Sequence, residues 1–182
     1  MTSNQLLRTS DLELDLAFTG FIPDSLKNYF DRETTNLLTN AELWSTNFKR
    51  WMHFVRNNQE MECPEICRKN NAFSLGLNFT DDSCVAKLNE EWRQKKGPTD
   101  VLSFPSLDKN TLAKCPHFLE LGDIIVSIDT AFKQAKENHH SLADELNWLV
   151  SHGFLHLLGW DHPTSASLDR MLCDQEKLIN ES

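Results

Sequence analysis

Residues 141–162, Ser-Leu-Ala-Asp-Glu-Leu-Asn-Trp-Leu-Val-Ser-His-Gly-Phe-Leu-His-Leu-Leu-Gly-Trp-Asp-His, constrain this chain more than any other stretch. Ser141 with Asp144 three positions on reads as a capping box, and no proline follows until Pro163, so the pattern predicts a helix over about 142–158. Leu142, Leu146, Leu149, Val150, Phe154, Leu155, Leu157 and Leu158 leave only a narrow polar strip at Asp144, Asn147 and Ser151. A helix apolar nearly all round runs through a core. His152 and His156, four apart, share one face of that helix, a turn from each other. Gly159 is placed to end the helix in the left-handed conformation, after which Trp160-Asp161 can carry His162 back towards the other two rings.

Three neutral nitrogens with one open position form the donor set of a catalytic zinc, whereas a structural zinc is closed by four protein ligands, usually including cysteine. Two histidines four apart arise often by chance. The third histidine and the glycine single out this set, and His152, His156 and His162 are predicted to hold one Zn2+ per chain. The spacing is similar to that of the metzincin proteases, with one departure. Those enzymes need Glu directly after the first histidine as general base, and that position is Gly153 here. A glycine takes no proton, so the expected substrate is not a peptide. Water in the open position, its pKa lowered towards about 7, would be a nucleophile that needs no protein base. Glu145, two turns before His152, is expected either to orient a ligand or to sit solvated in the first turn of the helix.

The stretch from His152 to His162 resembles the signature of the YbeY family of bacterial-type metal-dependent endoribonucleases. Leu88-Asn-Glu-Glu-Trp-Arg93, then Pro98-Thr-Asp-Val-Leu-Ser-Phe-Pro105, is similar to a second stretch of that family. Gly122-Asp-Ile124 and Met171 to Glu176 extend the likeness over roughly residues 72–178. The resemblance implies a metal helix packed on a sheet, with its site in a cleft. It also implies zinc-dependent cleavage of single-stranded RNA in ribosomal RNA maturation, notably at the 16S rRNA 3′ end, and in ribosome quality control. RNA and the ribosome or small-subunit assembly factors would be the partners. His152, His156 and His162 would bind the metal, Arg93 would stabilise charge on the phosphoryl oxygens, and Lys95 or Lys96 would help gather the strand. Thr99, Asp100, Ser103 and Asp123 also match family positions, but turn capping explains Thr99 and Asp100 equally well, and all four stay outside the predicted catalytic set. Two other classes stay open: a zinc hydrolase of another substrate, such as an atypical peptidase, and a non-catalytic ribosome-associated factor whose metal pins the helix end.

Charge limits the RNA reading. The net charge of −9 repels a polyanion over much of the surface, so an RNA enzyme here needs a local basic patch. Lys87, Arg93, Lys95 and Lys96 supply one, although such a run is often just a solvated face. Arg93 falls at a helix end beside Thr99-Asp100, where a guanidinium fork can meet a phosphate. The five cysteines form no disulfide-like framework, and Cys63-x3-Cys67 lacks the second pair of a metal site, which suits a reducing compartment. No apolar run approaches the roughly 20 residues of a membrane helix, and Met1 to Ser10 lack the apolar core of a secretory signal. The expected setting is cytoplasmic, with no membrane partner.

The rest of the chain reads as one α+β domain over residues 1–182, with a small mixed four-stranded sheet, about five helices and residues 1–10 flexible. Alternation predicts strands near 12–18 and 72–79, and short apolar runs predict strands at 101–104 and 123–128, the last buried on both faces. Helical spacing predicts a core helix from about Asn40 to Arg56, with Trp44, Phe48 and Trp51 inward. A second, capped by Asp81 or Asp82, spans about 83–95 with Val85, Leu88 and Trp92 inward. Asp129 starts a third, ending near His139-His140, and a last helix buries Leu168, Met171, Leu172 and Leu178. Residues 19–35, 57–71 and 106–120 read mainly as connections, with Cys115 and a solvent-facing His117 in the last of them.

Overall fold

A computed structural model describes residues 12–107 and 117–181. Its elements are β1 (Glu13–Thr19), a 3-10 turn (Lys27–Tyr29), α1 (Arg32–Thr39), α2 (Ala41–Asn57), α3 (Glu65–Lys69), β2 (Ala72–Thr80), α4 (Asp82–Arg93), β3 (Val101–Pro105), β4 (Leu119–Ser127), α5 (Ile128–Glu137), α6 (Leu142–Leu157) and α7 (Ser165–Glu181). The strands form one mixed sheet in the order β1-β2-β4-β3, with β1, β2 and β4 parallel and β3 antiparallel along the edge of β4. This is the expected α+β fold. The described residues hold seven α-helices rather than about five, because α1 and α3 are too short to show an apolar period.

The alternation of β2 puts Phe73, Leu75, Leu77 and Phe79 on one face, where they are buried. Against that face lie α2 and α6, whose rings interlock: Phe48 is 5.6 Å from Phe154, and Trp44 is 5.7 Å from Phe79. Strand β4 starts at Leu119, earlier than its apolar run suggests. Its register steps from Ser74↔Glu120 to Leu75↔Gly122, and this bulge, with Gly122 at φ +122°, hides the period of two from a reading of the sequence. Ile124 and Val126 are fully buried, while Ile125 on the opposite face is only half-buried. Cys115 lies outside the described residues, and His117 is exposed as expected, 3.8 Å from Glu13.

Helix α6 is held at both ends by its own sequence. The Ser141 hydroxyl accepts from the Asp144 amide at 3.0 Å, and the Asp144 carboxylate accepts from the Ser141 amide at 3.3 Å. At the other end the Gly159 amide donates to the His156 carbonyl at 2.9 Å and the Trp160 amide to the Leu155 carbonyl at 3.1 Å, a Schellman closure with Gly159 at φ +92°. Between these caps, Gly153 sets how closely the helix lies on the sheet. A Cβ there would stand 2.9 Å from Ile124 Cγ2 and 3.0 Å from Ser103 Oγ. The residue that replaces the protease base therefore faces β4 and β3 at a distance where even a Cβ requires Ile124 and Ser103 to shift.

Candidate metal centre

The helical spacing and the glycine turn do bring the three histidines together. One ring nitrogen from each of His152, His156 and His162 lies within 4.8 Å of the others, and the Nε2 atoms of His152 and His156 are 3.1 Å apart. Two nitrogens on one tetrahedral zinc, each at about 2.0–2.1 Å, stand about 3.3 Å apart, so the spacing fits such an ion. Protonation fits as well. His156 Nδ1 is 2.8 Å from the Trp160 carbonyl, which can only accept, so Nδ1 carries the hydrogen and Nε2 presents a lone pair. The indole of Trp160 donates to the Glu62 carbonyl at 2.9 Å, which anchors the turn that delivers His162.

Burial favours the neutral form of the two helical rings, His152 and His156. It lowers the pKa of His152, and it pushes that of His156 down to about 4, with the neighbouring His152 adding to the effect. Between about pH 6.5 and 4 the unfolded chain takes a proton at His156 that the folded chain refuses, so the metal-free protein loses stability as pH falls through that window. Thermal melts of chelated protein from pH 7 to 4 should show a steeper decline than those of a His156→Gln variant, and equal slopes would show that His156 is not held neutral.

The three rings open on a cleft of about 740 Å³, with α4, β3, α6 and the turn after α6 contributing to its walls. Arg93, at the end of α4, lines the same cleft and takes part in no ion pair among the described residues. Lys95 and Lys96 are exposed on the turn beyond it and do not line the cleft. Asp100 lines it, but its carboxylate is engaged on both oxygens: Oδ1 accepts from the Val101 amide at 2.7 Å and the Thr99 hydroxyl at 3.0 Å, and Oδ2 accepts from Gln134 at 3.0 Å. That is the turn-capping role. Asp123 is exposed and lines a separate groove that Ser103 shares with the metal cleft.

Two expectations are corrected by the packing. Trp92 does not point inward: it is 64% exposed and packs edge-on against Phe104 at 5.8 Å, standing at the junction of the two grooves. Helix α4 covers only part of the sheet, so a position in phase with Val85 and Leu88 overhangs its edge. Glu145 neither orients one of the three histidines nor sits in solvent. It is buried and bonded to His140, which closes the α5–α6 junction. The residue that meets the His152 ring instead is Gln175 of α7, with Oε1 3.0 Å from His152 Nδ1. A glutamine in phase with Met171 and Leu178 on the inward face of α7 was the available signal.

An all-imidazole set open to a cleft is the donor set of a metalloenzyme rather than of a structural zinc protein. The family described as Endoribonuclease YbeY matches residues 30–182. Proteins named Endoribonuclease YbeY from two strains of Prochlorococcus marinus are 50% identical over 169 residues (strain SARG) and 53% over 171 residues (strain MIT 9211), each alignment covering 93% of this chain and 87% of the relative. One of the same name from Synechococcus sp. (strain CC9902) is 51% identical over 137 residues, covering 75% of this chain and 76% of its own. A solution structure from Thermotoga maritima aligns over 92% of this chain and 91% of its own at a TM-score of 0.49 and 19% identity. The chain belongs to the endoribonuclease YbeY family.

Proposed function

We propose that this chain is a zinc-dependent endoribonuclease of single-stranded RNA that acts in ribosomal RNA maturation in the cytoplasm, with the ribosome or small-subunit assembly factors as partners. As a family member it is an enzyme that hydrolyses RNA phosphodiester bonds. No helix among the described residues is long and apolar enough to cross a membrane. The observation that carries the reading is the shared cleft: Arg93 is the arginine or lysine that lines it among the described residues, and it does so together with the three histidines. When bound, zinc supplies Lewis acidity at the floor of that cleft. His152, His156 and His162 hold it there. The Arg93 guanidinium, in no ion pair among the described residues, donates to phosphoryl oxygens as their charge grows, and Lys95 and Lys96 draw the strand in from the rim. Gly153 counts against a peptidase, because it supplies no base and the packing against Ile124 and Ser103 disfavours a side chain as large as glutamate there.

Arg93→Ala should keep the metal and the melting temperature but lower RNA cleavage about 100- to 1,000-fold, the usual loss for one transition-state donor. Cleavage within about threefold of the parent protein would remove Arg93 from the mechanism. The direct test of function is cleavage of a labelled single strand and of its duplex by zinc-loaded, chelated and reloaded protein. Cutting of the single strand that vanishes on chelation and returns with zinc is expected. The helical circular dichroism should persist throughout, because α6 is already closed at both ends by its own hydrogen bonds. Unfolding on chelation would instead make the metal structural, and equal cutting by all three samples would place the nuclease elsewhere.

A further inference from the structure

Gln175 is completely buried, and each of its polar contacts has one sense. Its Nε2 lies 2.7 Å from the Trp148 carbonyl and 3.1 Å from Ser151 Oγ. A carbonyl oxygen only accepts, so the amino end of the side-chain amide must face Trp148, and the amide oxygen must face His152. Ser151 reinforces this orientation, because its hydroxyl donates to the same Trp148 carbonyl at 2.9 Å and therefore accepts from Gln175. At 3.0 Å from Oε1, His152 Nδ1 is then obliged to donate. The hydrogen of this neutral ring sits on Nδ1, which leaves Nε2 a bare lone pair.

That tautomer is not the one the pair of rings would choose alone. A free neutral histidine side chain prefers its hydrogen on Nε2. With His156 fixed as an acceptor at Nε2, an Nε2–H on His152 would donate across the 3.1 Å between them and close the two ligands on each other. We propose that Gln175 is a positioning residue that holds His152 as its Nδ1–H tautomer, preventing a histidine–histidine hydrogen bond and keeping the Nε2 lone pair available to a metal. The proposal rests on the reading of these histidines as a metal site. It assigns a function to α7, whose other buried residues are the apolar Met171 and Leu178 and the acidic Asp174, the last of them paired with Lys177.

The test separates this role from simple packing between α6 and α7. Gln175→Met fills the same space but offers no acceptor; Gln175→Glu keeps the acceptor towards His152 and gives up the donors towards Trp148 and Ser151. Nitrogen-15 NMR of the metal-free parent should show His152 as Nδ1–H, and Gln175→Met should convert it to Nε2–H. Zinc affinity, measured by chelator competition, should fall about 10- to 100-fold in Gln175→Met and stay within about threefold in Gln175→Glu. Nε2–H in the parent protein would overturn the proposal outright, and that readout needs no variant to fold. So would parental zinc affinity in Gln175→Met, or equal losses in both variants, which would mark a packing role. Failure of the parent protein to bind zinc would instead refute the metal reading, with the tautomer measurement still deciding what Gln175 does.

Discussion

His156→Ala should lose zinc and RNA cleavage together while keeping its fold. His156 is the middle donor of the set: its ring lies 4.7 Å from that of His152 and 5.1 Å from that of His162. Without it two nitrogens remain, from elements joined only by a glycine turn, and they cannot hold a tetrahedral ion against water. Loss of an outer-shell partner alone weakens metal binding about 10- to 100-fold, so loss of this ligand should cost more than about a hundredfold in affinity. The fold should survive because His156 contributes a single side-chain hydrogen bond outside the ligand set, to the Trp160 carbonyl, and an intramolecular bond of that kind is worth about 1 kcal/mol. Metal content by elemental analysis and cleavage of labelled single-stranded RNA are the measurements. Full zinc occupancy in the variant would show that other residues hold the ion.

Gly153→Glu should fail in the opposite way, by losing the fold and gaining no protease activity. The first added carbon meets Ile124 Cγ2 at 2.9 Å and Ser103 Oγ at 3.0 Å, so those side chains must already shift before the rest of the glutamate, which needs α6 to lift from β3 and β4, is placed. Overpacking costs about 1–3 kcal/mol. Burying a carboxylate without a partner adds several more, against a total stability of about 5–15 kcal/mol for a domain. Soluble yield and the melting temperature should collapse. Gly153→Ala should show a milder version, with overpacking of about 1–3 kcal/mol offset by the roughly 1 kcal/mol that alanine gains in a helix. A folded Gly153→Glu protein with the parental melting temperature would show room beneath the helix and reopen the peptidase reading.

The clustering of the three histidines was legible because its determinants are local. His152 and His156 are related by helical geometry alone, and Gly159 ends that helix within three residues of His156, so the path to His162 is short and nearly determined. The capping residues Ser141 and Asp144 and the alternation of β2 are equally local, and the elements formed where they point. Trp92 was misplaced by the same kind of reasoning. Its phase on α4 is right for the core, but whether an in-phase residue is covered depends on where the neighbouring sheet stops. Glu145 sits in phase with His152 along α6, yet it is claimed by His140 from the preceding connection.

The order of residues along the chain therefore specifies the chemistry available: three imidazoles that a helix and a glycine turn can bring together, one arginine near a helix end, and no general base after the first histidine. How those groups meet is set by the packing of distant elements. Arg93 joins the histidines because α4 ends beside β3, Gly153 is packed tightly because α6 lies close to Ile124 and Ser103, and His152 meets Gln175 because α7 returns across α6. Each of these contacts links residues far apart in the chain, and such pairings follow from how packed elements exclude one another rather than from any period along one of them.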